Sequence, residues 1–224
     1  QMTSVNKNRP LDGMRVIEMG QLIAGPFTGS VLGYFGAEVI KIEPPTGDPV
    51  RYWRLTENNT SYWWHSVSRN KKSITLNLKS DEGRQIAKDL ILKSDVLIEN
   101  FKPGTLEKWG MSPDELKKEN PGLITARISG YGQNDSTVSR QAFDATIQAE
   151  TGYMHISGHD NKPTMIGTVF LDYTTGLNTA IGILAAINSR NLTGKGELIE
   201  TSLVSSALSL SMSAVPVSYT HLRA

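Results

Sequence analysis

The sequence predicts an α/β protein with a mostly parallel sheet and flanking helices. Three observations predict it. Short Val/Ile-rich runs alternate with longer segments of helical apolar spacing. Glycine and proline mark the junctions. The N-terminal part holds a complete strand–helix–strand unit, the signature of a parallel crossover.

Met14 to Met19 has the composition of a buried strand. Gly25 and Pro26 follow, and proline suits the first turn of a helix because its missing N–H is not needed there. That helix is expected to reach Tyr34, with Gly36 as its stop. Glu38 to Ile42 is the second strand, parallel to the first. Tyr52 to Trp64 is looser and rich in aromatic residues. Ser73 to Leu78 alternates like a half-buried strand. Asp81 to Lys93 is an amphipathic helix with Ile86, Leu90 and Ile91 on one face. Asp95 to Ile98 is a strand that ends at Glu99-Asn100-Phe101. Gly110 and Pro113 divide Leu106 to Glu119 into two short helices. Leu123 to Ile128 is a strand ending at Gly130-Tyr131-Gly132. Phe143 to Thr151 is helical, and Gly176 to Arg190 is a small-residue helix suited to close packing. Glu197 to Glu200 is a short strand and Ser202 to Ser213 the last helix. The sum is a Rossmann-like sheet, in which ligands bind outside the carboxyl ends of the strands. Those ends carry Gly20 to Pro26, Asn100 to Lys102, Gly130 to Gly132 and Asp144.

The 224 residues suffice for one large domain or two small ones. A hydrophobic content of 38% and a charged content of 20% suit a soluble globular chain. The net charge of +1 gives no global field to recruit nucleic acid or an anionic membrane, so neither partner is expected. No uninterrupted apolar run reaches the roughly 20 residues of a bilayer span. Without cysteine there is no disulfide framework and no Cys nucleophile, which suits a reducing compartment. The cytoplasm is expected, or the mitochondrial matrix in a eukaryote. Residues 1–10 are a polar extension without the apolar core of a signal peptide. His155 and His159 have i,i+4 spacing, but Gly158 intervenes and no carboxylate lies inside the pair, so a loop is expected there and no metal.

Two acids stand in apolar surroundings. Asp172 leads into the small-residue helix, and Asp144 heads another. A carboxylate there carries a desolvation cost, so it is capped, paired or used. Capping is the plain reading for both, because Asp is a preferred N-cap. Chemistry is the alternative. Ile23-Ala24-Gly25-Pro26 is a tight turn whose free N–H groups suit an anion. Arg69-Asn70-Lys71-Lys72 is either a solvated face or a site for a phosphorylated ligand. The aromatic cluster Tyr52, Trp53, Tyr62, Trp63 and Trp64 is expected to pack its loop onto the domain; a wall for an adenine or acyl chain is the other reading. Thr193 to Gly196 reads as a turn. No dinucleotide or P-loop fingerprint occurs, and no Ser-His-Asp order or nucleophile elbow.

Longer matches run in order along the chain. They include Ala24-Gly25-Pro26-Phe27, Leu32 to Pro44, Gly47-Asp48, Arg69 to Ile74, Asp95 to Phe101, Ser129 to Gln133, Phe143-Asp144, Asp172 to Gly176 and Thr193 to Gly196. With these the sequence resembles the class III CoA-transferases, the CaiB/BaiF family. Its wording around Asn70 to Ile74, Gly152 to Gly158 and Asp172 to Leu177 is most similar to the succinyl-CoA–glutarate branch. The resemblance implies a CoA-transferase that uses acyl-CoA as a substrate and holds no permanent cofactor. It implies Asp172 as the nucleophile and a small acid, preferably a dicarboxylate, as the acceptor. It places CoA against Ile23, Ala24, Leu76, Lys79, Asn100, Phe101, Lys102, Lys108, Phe143 and Asp144. Lys108 stands where some members have Arg, and Pro44 replaces a basic residue of others. The family's racemases have a His just before the position of Asp144, where this chain has Phe143, so α-carbon proton shuttling is not expected. A non-catalytic nucleotide-binding module is the remaining alternative. Family members are nearly twice as long and form interlocked homodimers. Residues 11–214 are therefore expected to be the CoA-binding large domain of a truncated chain, inactive alone, and 215–224 a non-native or truncated tail.

Overall fold

The computed structural model describes residues 9–133, 140–160 and 162–211. The end of the last expected helix, the tail 215–224 and most of the N-terminal extension lie outside them.

Six parallel strands form the main sheet: β1 (Arg15–Glu18), β2 (Glu38–Glu43), β5 (Lys71–Thr75), β6 (Val96–Glu99), β7 (Ile124–Ser129) and β8 (Leu198–Ser202). A small antiparallel hairpin, β3 (Thr56–Glu57) and β4 (Thr60–Ser61), stands apart. The main sheet runs β5-β2-β1-β6-β7-β8, the doubly wound order in which the chain moves outward on one side and restarts from the centre on the other. The switch point lies between β1 and β6, which pair directly.

Strand residues alternate between two apolar layers, as the two-residue period of a strand requires. Val16, Val39, Val96, Ile98, Ala126 and Ile128 pack on one face with α1 (Ala24–Tyr34), α6 (Asp144–Glu150), α8 (Phe170–Thr193) and α9 (Leu203–Leu210). Ile17, Ile42 and Leu97 pack on the other with α3 (Asp81–Leu92), α4 (Thr105–Lys108) and α5 (Pro113–Glu119). The remaining helices are α2 (Tyr62–Val67) and α7 (Tyr153–Ile156). Local signals explain most boundaries. Ser80 caps α3 through the Gly83 N–H, and Ser112 and Glu115 close a capping box on α5. Gly36, with φ +110°, ends the turn after α1.

Two elements depart from expectation. β5 spans Lys71–Thr75 instead of Ser73 to Leu78. It pairs with β2 only as far as Glu43, after which Pro44 and Pro45 have no N–H to extend the ladder. Helix α8 starts at Phe170, well before Gly176, so Asp172 sits inside its first turn.

Small residues let α8 cross α1 closely. A Cβ on Gly176 would stand 3.0 Å from the Ala24 carbonyl oxygen, and the Thr28 hydroxyl donates to the Gly176 carbonyl at 3.2 Å. By length and composition α8 is long and apolar enough to cross a bilayer, although it contains no uninterrupted apolar run of that length. Here its stripe of Leu171, Ala180, Ile183 and Ala186 is buried on the sheet. Leu177 and Ile181 of α8 stay exposed, as do Leu208 and Leu210 of α9.

Candidate active site

The loop from Gly20 to Ile23 carries the chain from β1 into α1, at the switch point. It is held from below by buried charge. The Lys41 ammonium, 1% exposed, donates to Glu18 Oε1 at 2.8 Å and to the Gly20 carbonyl at 2.7 Å, and lies 2.9 Å from Asp48 Oδ2. Asp48 Oδ1 accepts from the Leu22 N–H at 3.1 Å and the Val50 N–H at 2.9 Å. Lys71 Nζ lies 2.7 Å from Glu18 Oε2 and donates to the Pro26 carbonyl at 2.5 Å. The contacts at Glu18 Oε2 and Asp48 Oδ2 are ion pairs without hydrogen-bond alignment. Two ammonium and two carboxylate groups balance, as burial demands. Burial disfavours the charge on Lys41, but Glu18 and Asp48 outweigh it and hold its pKa above the ordinary lysine value. Burial also acts on Lys71, and there it prevails, so that pKa is lowered despite Glu18.

The fourth clamp is Asn100, at the end of β6. Its amide accepts from the Gln21 N–H and donates to the Gln21 carbonyl, both at 2.8 Å. Leu22 is thereby fixed at φ +63°, a left-handed conformation that a branched side chain disfavours. The basic run at 69–72 is accordingly not a uniform solvated face. Lys71 is buried in the network and Lys72 pairs with Glu38 at 2.5 Å.

Above the loop opens a cavity of about 510 Å³. Of the residues singled out from sequence it gathers Ile23, Ala24, Asn100, Phe143, Asp144 and Asp172. A second depression of about 370 Å³, at the ends of β2 and β5, contains Leu76, Lys79 and Phe101, the last edge-on to Trp109 at 5.2 Å. A third, of about 310 Å³, contains Asn100, Phe101 and Lys102. Lys108 lines none of the three; it is exposed at the end of α4, next to Trp109. Each pair of depressions shares a residue, Gln21 joining the first to the second, Asn100 the first to the third and Phe101 the second to the third, so they form one row along the carboxyl ends of the strands.

The two acids have different surroundings. Neither is an N-cap of its own helix: Phe143 holds that position on α6 and Val169 on α8, each without a side-chain cap. Asp144 instead caps α8 from outside. Its Oδ2 accepts from the Leu171 N–H at 2.7 Å and the Asp172 N–H at 3.2 Å, while Oδ1 accepts from the Gln148 amide. Gln148 in turn accepts from the Ile166 N–H at 2.9 Å. The Asp172 carboxylate has no hydrogen-bond donor among the described residues. Burial pushes its pKa up to about 7, and the neighbouring charge of Asp144 adds to the shift. One acid thus orients the backbone beneath the other.

Sequence reading missed part of the cavity wall. Arg54, Met165 and Thr168 also line it, together with Gln21 and Leu22 of the expected strand-end segment and Trp53 of the aromatic cluster. The aromatic cluster divides: Trp63 and Trp64 pack with Ile23, Val50 and Val67, as the packing interpretation expects, while Trp53 faces the cavity. The signal available was the density of aromatics, which does not say which ring turns inward. Among the described residues no group of three or more His, Asp or Glu could hold a metal.

Residues 11–222 match the model of CoA-transferase family III. This chain belongs to CoA-transferase family III. The family III fold is met again in a CaiB/BaiF family protein from Brucella suis, with a TM-score of 0.88 and 37% identity over 92% of this chain and 56% of that one. Among curated family III relatives, succinyl-CoA–D-citramalate CoA-transferase of Chloroflexus aurantiacus is 42% identical over 96% of this chain and 54% of its own length. Mouse succinyl-CoA:glutarate CoA-transferase is 41% identical over 88% of this chain and 46% of its own length. This family III chain therefore spans about half the length of such relatives.

Proposed function

We propose that the chain is the nucleophile-bearing, CoA-binding part of a transferase that moves CoA from succinyl-CoA, or a similar acyl-CoA, to a small dicarboxylic acid. The observation that carries this reading is the pairing of Asp144 and Asp172. A carboxylate without a hydrogen-bond donor, partly desolvated and held at a helix start, is a better nucleophile than one in water.

Asp172 attacks the thioester carbonyl of the donor. The C–S bond breaks, CoA leaves as thiolate, and Asp172 and the acyl group are joined as a mixed anhydride. The thiolate then attacks the Asp172 carboxyl carbon. That releases the donor acid and leaves an aspartyl-CoA thioester. The acceptor carboxylate attacks this thioester to form a second anhydride, and CoA thiolate attacks its acyl carbon. The new acyl-CoA departs and Asp172 is restored. The first-turn N–H groups of α1 on Ala24 and Gly25, which no side chain caps, are positioned by the clamped loop to receive a developing oxyanion. CoA extends along the shared edge past Phe101, Leu76 and Lys79, with Lys102 and Lys108 toward its phosphates. Relatives named for citramalate and glutarate support a dicarboxylate acceptor. The exposed apolar face of α8 and α9 is assigned to the rest of a full-length transferase and its interlocked dimer partner.

Isotope transfer tests the pathway. In the natural protein carrying this chain, an acceptor labelled with ¹⁸O in its carboxylate leaves one labelled oxygen on Asp172, read by peptide mass spectrometry. Turnover with no label on Asp172 rules out the covalent route.

A further inference from the structure

We propose that Arg54 is the anchor for the distal carboxylate of the acceptor acid, and so sets the preference for dicarboxylates over monocarboxylates. The inference rests on the transferase reading above and goes beyond it by naming the residue that reads the second charge.

The cavity around Asp172 carries two carboxylates, Asp144 and Asp172. A dicarboxylate that presents one end to Asp172 brings a second negative charge into this acidic, partly desolvated space, which is unfavourable unless a cation meets it. Arg54 is the one cationic residue among the described residues lining the cavity. Nearby Arg51 is engaged, donating to both oxygens of Glu43 at 2.7 and 2.8 Å, with its guanidinium 3.6 Å from the Trp64 ring centre. Arg54 has no ion-pair partner among the described residues. Its guanidinium lies 5.3 Å from the centre of the Trp63 ring, and Trp63 packs edge-on with the cavity residue Trp53. Stacking of this kind holds the planar group while leaving its edge N–H donors for a carboxylate, the bidentate geometry that arginine supports and lysine does not. The backbone adds a third sign. Arg54 sits at φ +57°, a left-handed conformation that a long non-glycine side chain adopts at a cost and that surrounding contacts must sustain.

The chemistry suits the direction of transfer. A monocarboxylate needs only Asp172 and the oxyanion donors, whereas a dicarboxylate gains a charge-assisted pair at Arg54. The anchor therefore acts on acceptor recognition and leaves the covalent steps at Asp172 untouched.

The test compares kcat/KM for glutarate and for butyrate, with one acyl-CoA donor, in the natural protein and in Arg54→Met and Arg54→Lys. Arg54→Met is expected to lower the glutarate value about tenfold or more while butyrate changes less than twofold, and Arg54→Lys is expected to recover part of the loss. An equal fall for both acids, or no fall for either, overturns the anchor while leaving the transferase reading intact. Absence of transfer to any acid by the natural protein overturns both. The donor in this comparison is acetyl-CoA, which carries no second carboxylate, so its KM should stay unchanged in Arg54→Met; a parallel rise there overturns the anchor, because the loop and not the charge would have been disturbed.

Discussion

At the scale of the residue, the contrast between Asp144 and Asp172 decides the chemistry. Both are acids at a cavity wall, yet donors surround one and, among the described residues, none reaches the other. With its pKa at about 7, Asp172 is ionised only as pH rises through neutrality. The nucleophile must be ionised, so the rate at limiting substrate is expected to climb with pH and level off above about 7, with one acid limb. Asp144→Asn keeps an oxygen acceptor for α8 but removes the neighbouring charge, so that limb should move to lower pH. Because burial is the larger cause, the move should be well under the full shift. A limb that stays in place would show that Asp144 has no electrostatic hold on Asp172. Stability has the opposite sign. Between the ordinary carboxylate value of 3.8 and about 7 the folded chain holds a proton that the unfolded chain releases. This group's contribution is full below that window and is lost as pH rises through it. Asp172→Asn should therefore lower transfer on the order of 10³-fold or more. It should also raise the urea midpoint at pH 8, by an amount that vanishes toward pH 4. A variant no more stable at pH 8 would argue against a strained, desolvated carboxylate.

At the scale of the element, α8 is begun by a residue that belongs to α6. Local capping rules find no cap at Val169, and the helix still starts at Phe170 because Asp144 reaches its free N–H groups across the fold. Asp144→Ala should cost about 1–2 kcal/mol in denaturant unfolding, the range for losing an N-cap, and Asp144→Asn much less. Transfer should fall with Asp144→Ala as well, since the same bonds position the Asp172 backbone. If stability is unchanged in Asp144→Ala, the cap has no energetic role. The loop between β1 and α1 shows the same principle. Its donors and acceptors are met by Asn100, Asp48 and Lys41, each from a different part of the chain, while Lys71 holds the first turn of α1 at Pro26.

At the scale of the whole molecule, the doubly wound order brings β1 and β6 together, and every cavity residue argued above stands near their carboxyl ends. The buried charge network lies directly under that point. Removing one member strands its partners, which in proteins costs about 3–5 kcal/mol. Lys41→Met should show a loss of that order by urea titration. The double change with Asp48→Asn should recover part of it, because one fewer charge is left unpaired. Equal stability of natural protein and Lys41→Met would mean that water reaches the cluster. The exposed Leu177, Ile181, Leu208 and Leu210 belong to this scale too, as large apolar side chains that this chain does not itself cover.

The sequence by itself determined the succession of the main-sheet strands and the helices that flank them, though not the small β3–β4 hairpin, α2 or α7, because Val/Ile runs, helical spacing and Gly/Pro punctuation act through neighbours along the chain. Its ordered matches also pointed to the family, to Asp172 and to nine further residues that line the three depressions, Ile23, Ala24, Leu76, Lys79, Asn100, Phe101, Lys102, Phe143 and Asp144. It placed β5 too far along and α8 too late, because one boundary depends on a partner strand ending at Pro44 and the other on a cap from Asp144. Lys71 in the buried network and Arg54 in the cavity were likewise decided by tertiary structure. A sequence pattern records residue type and spacing, whereas the fate of a charge depends on which distant groups the fold places within hydrogen-bonding reach and how much water it leaves there.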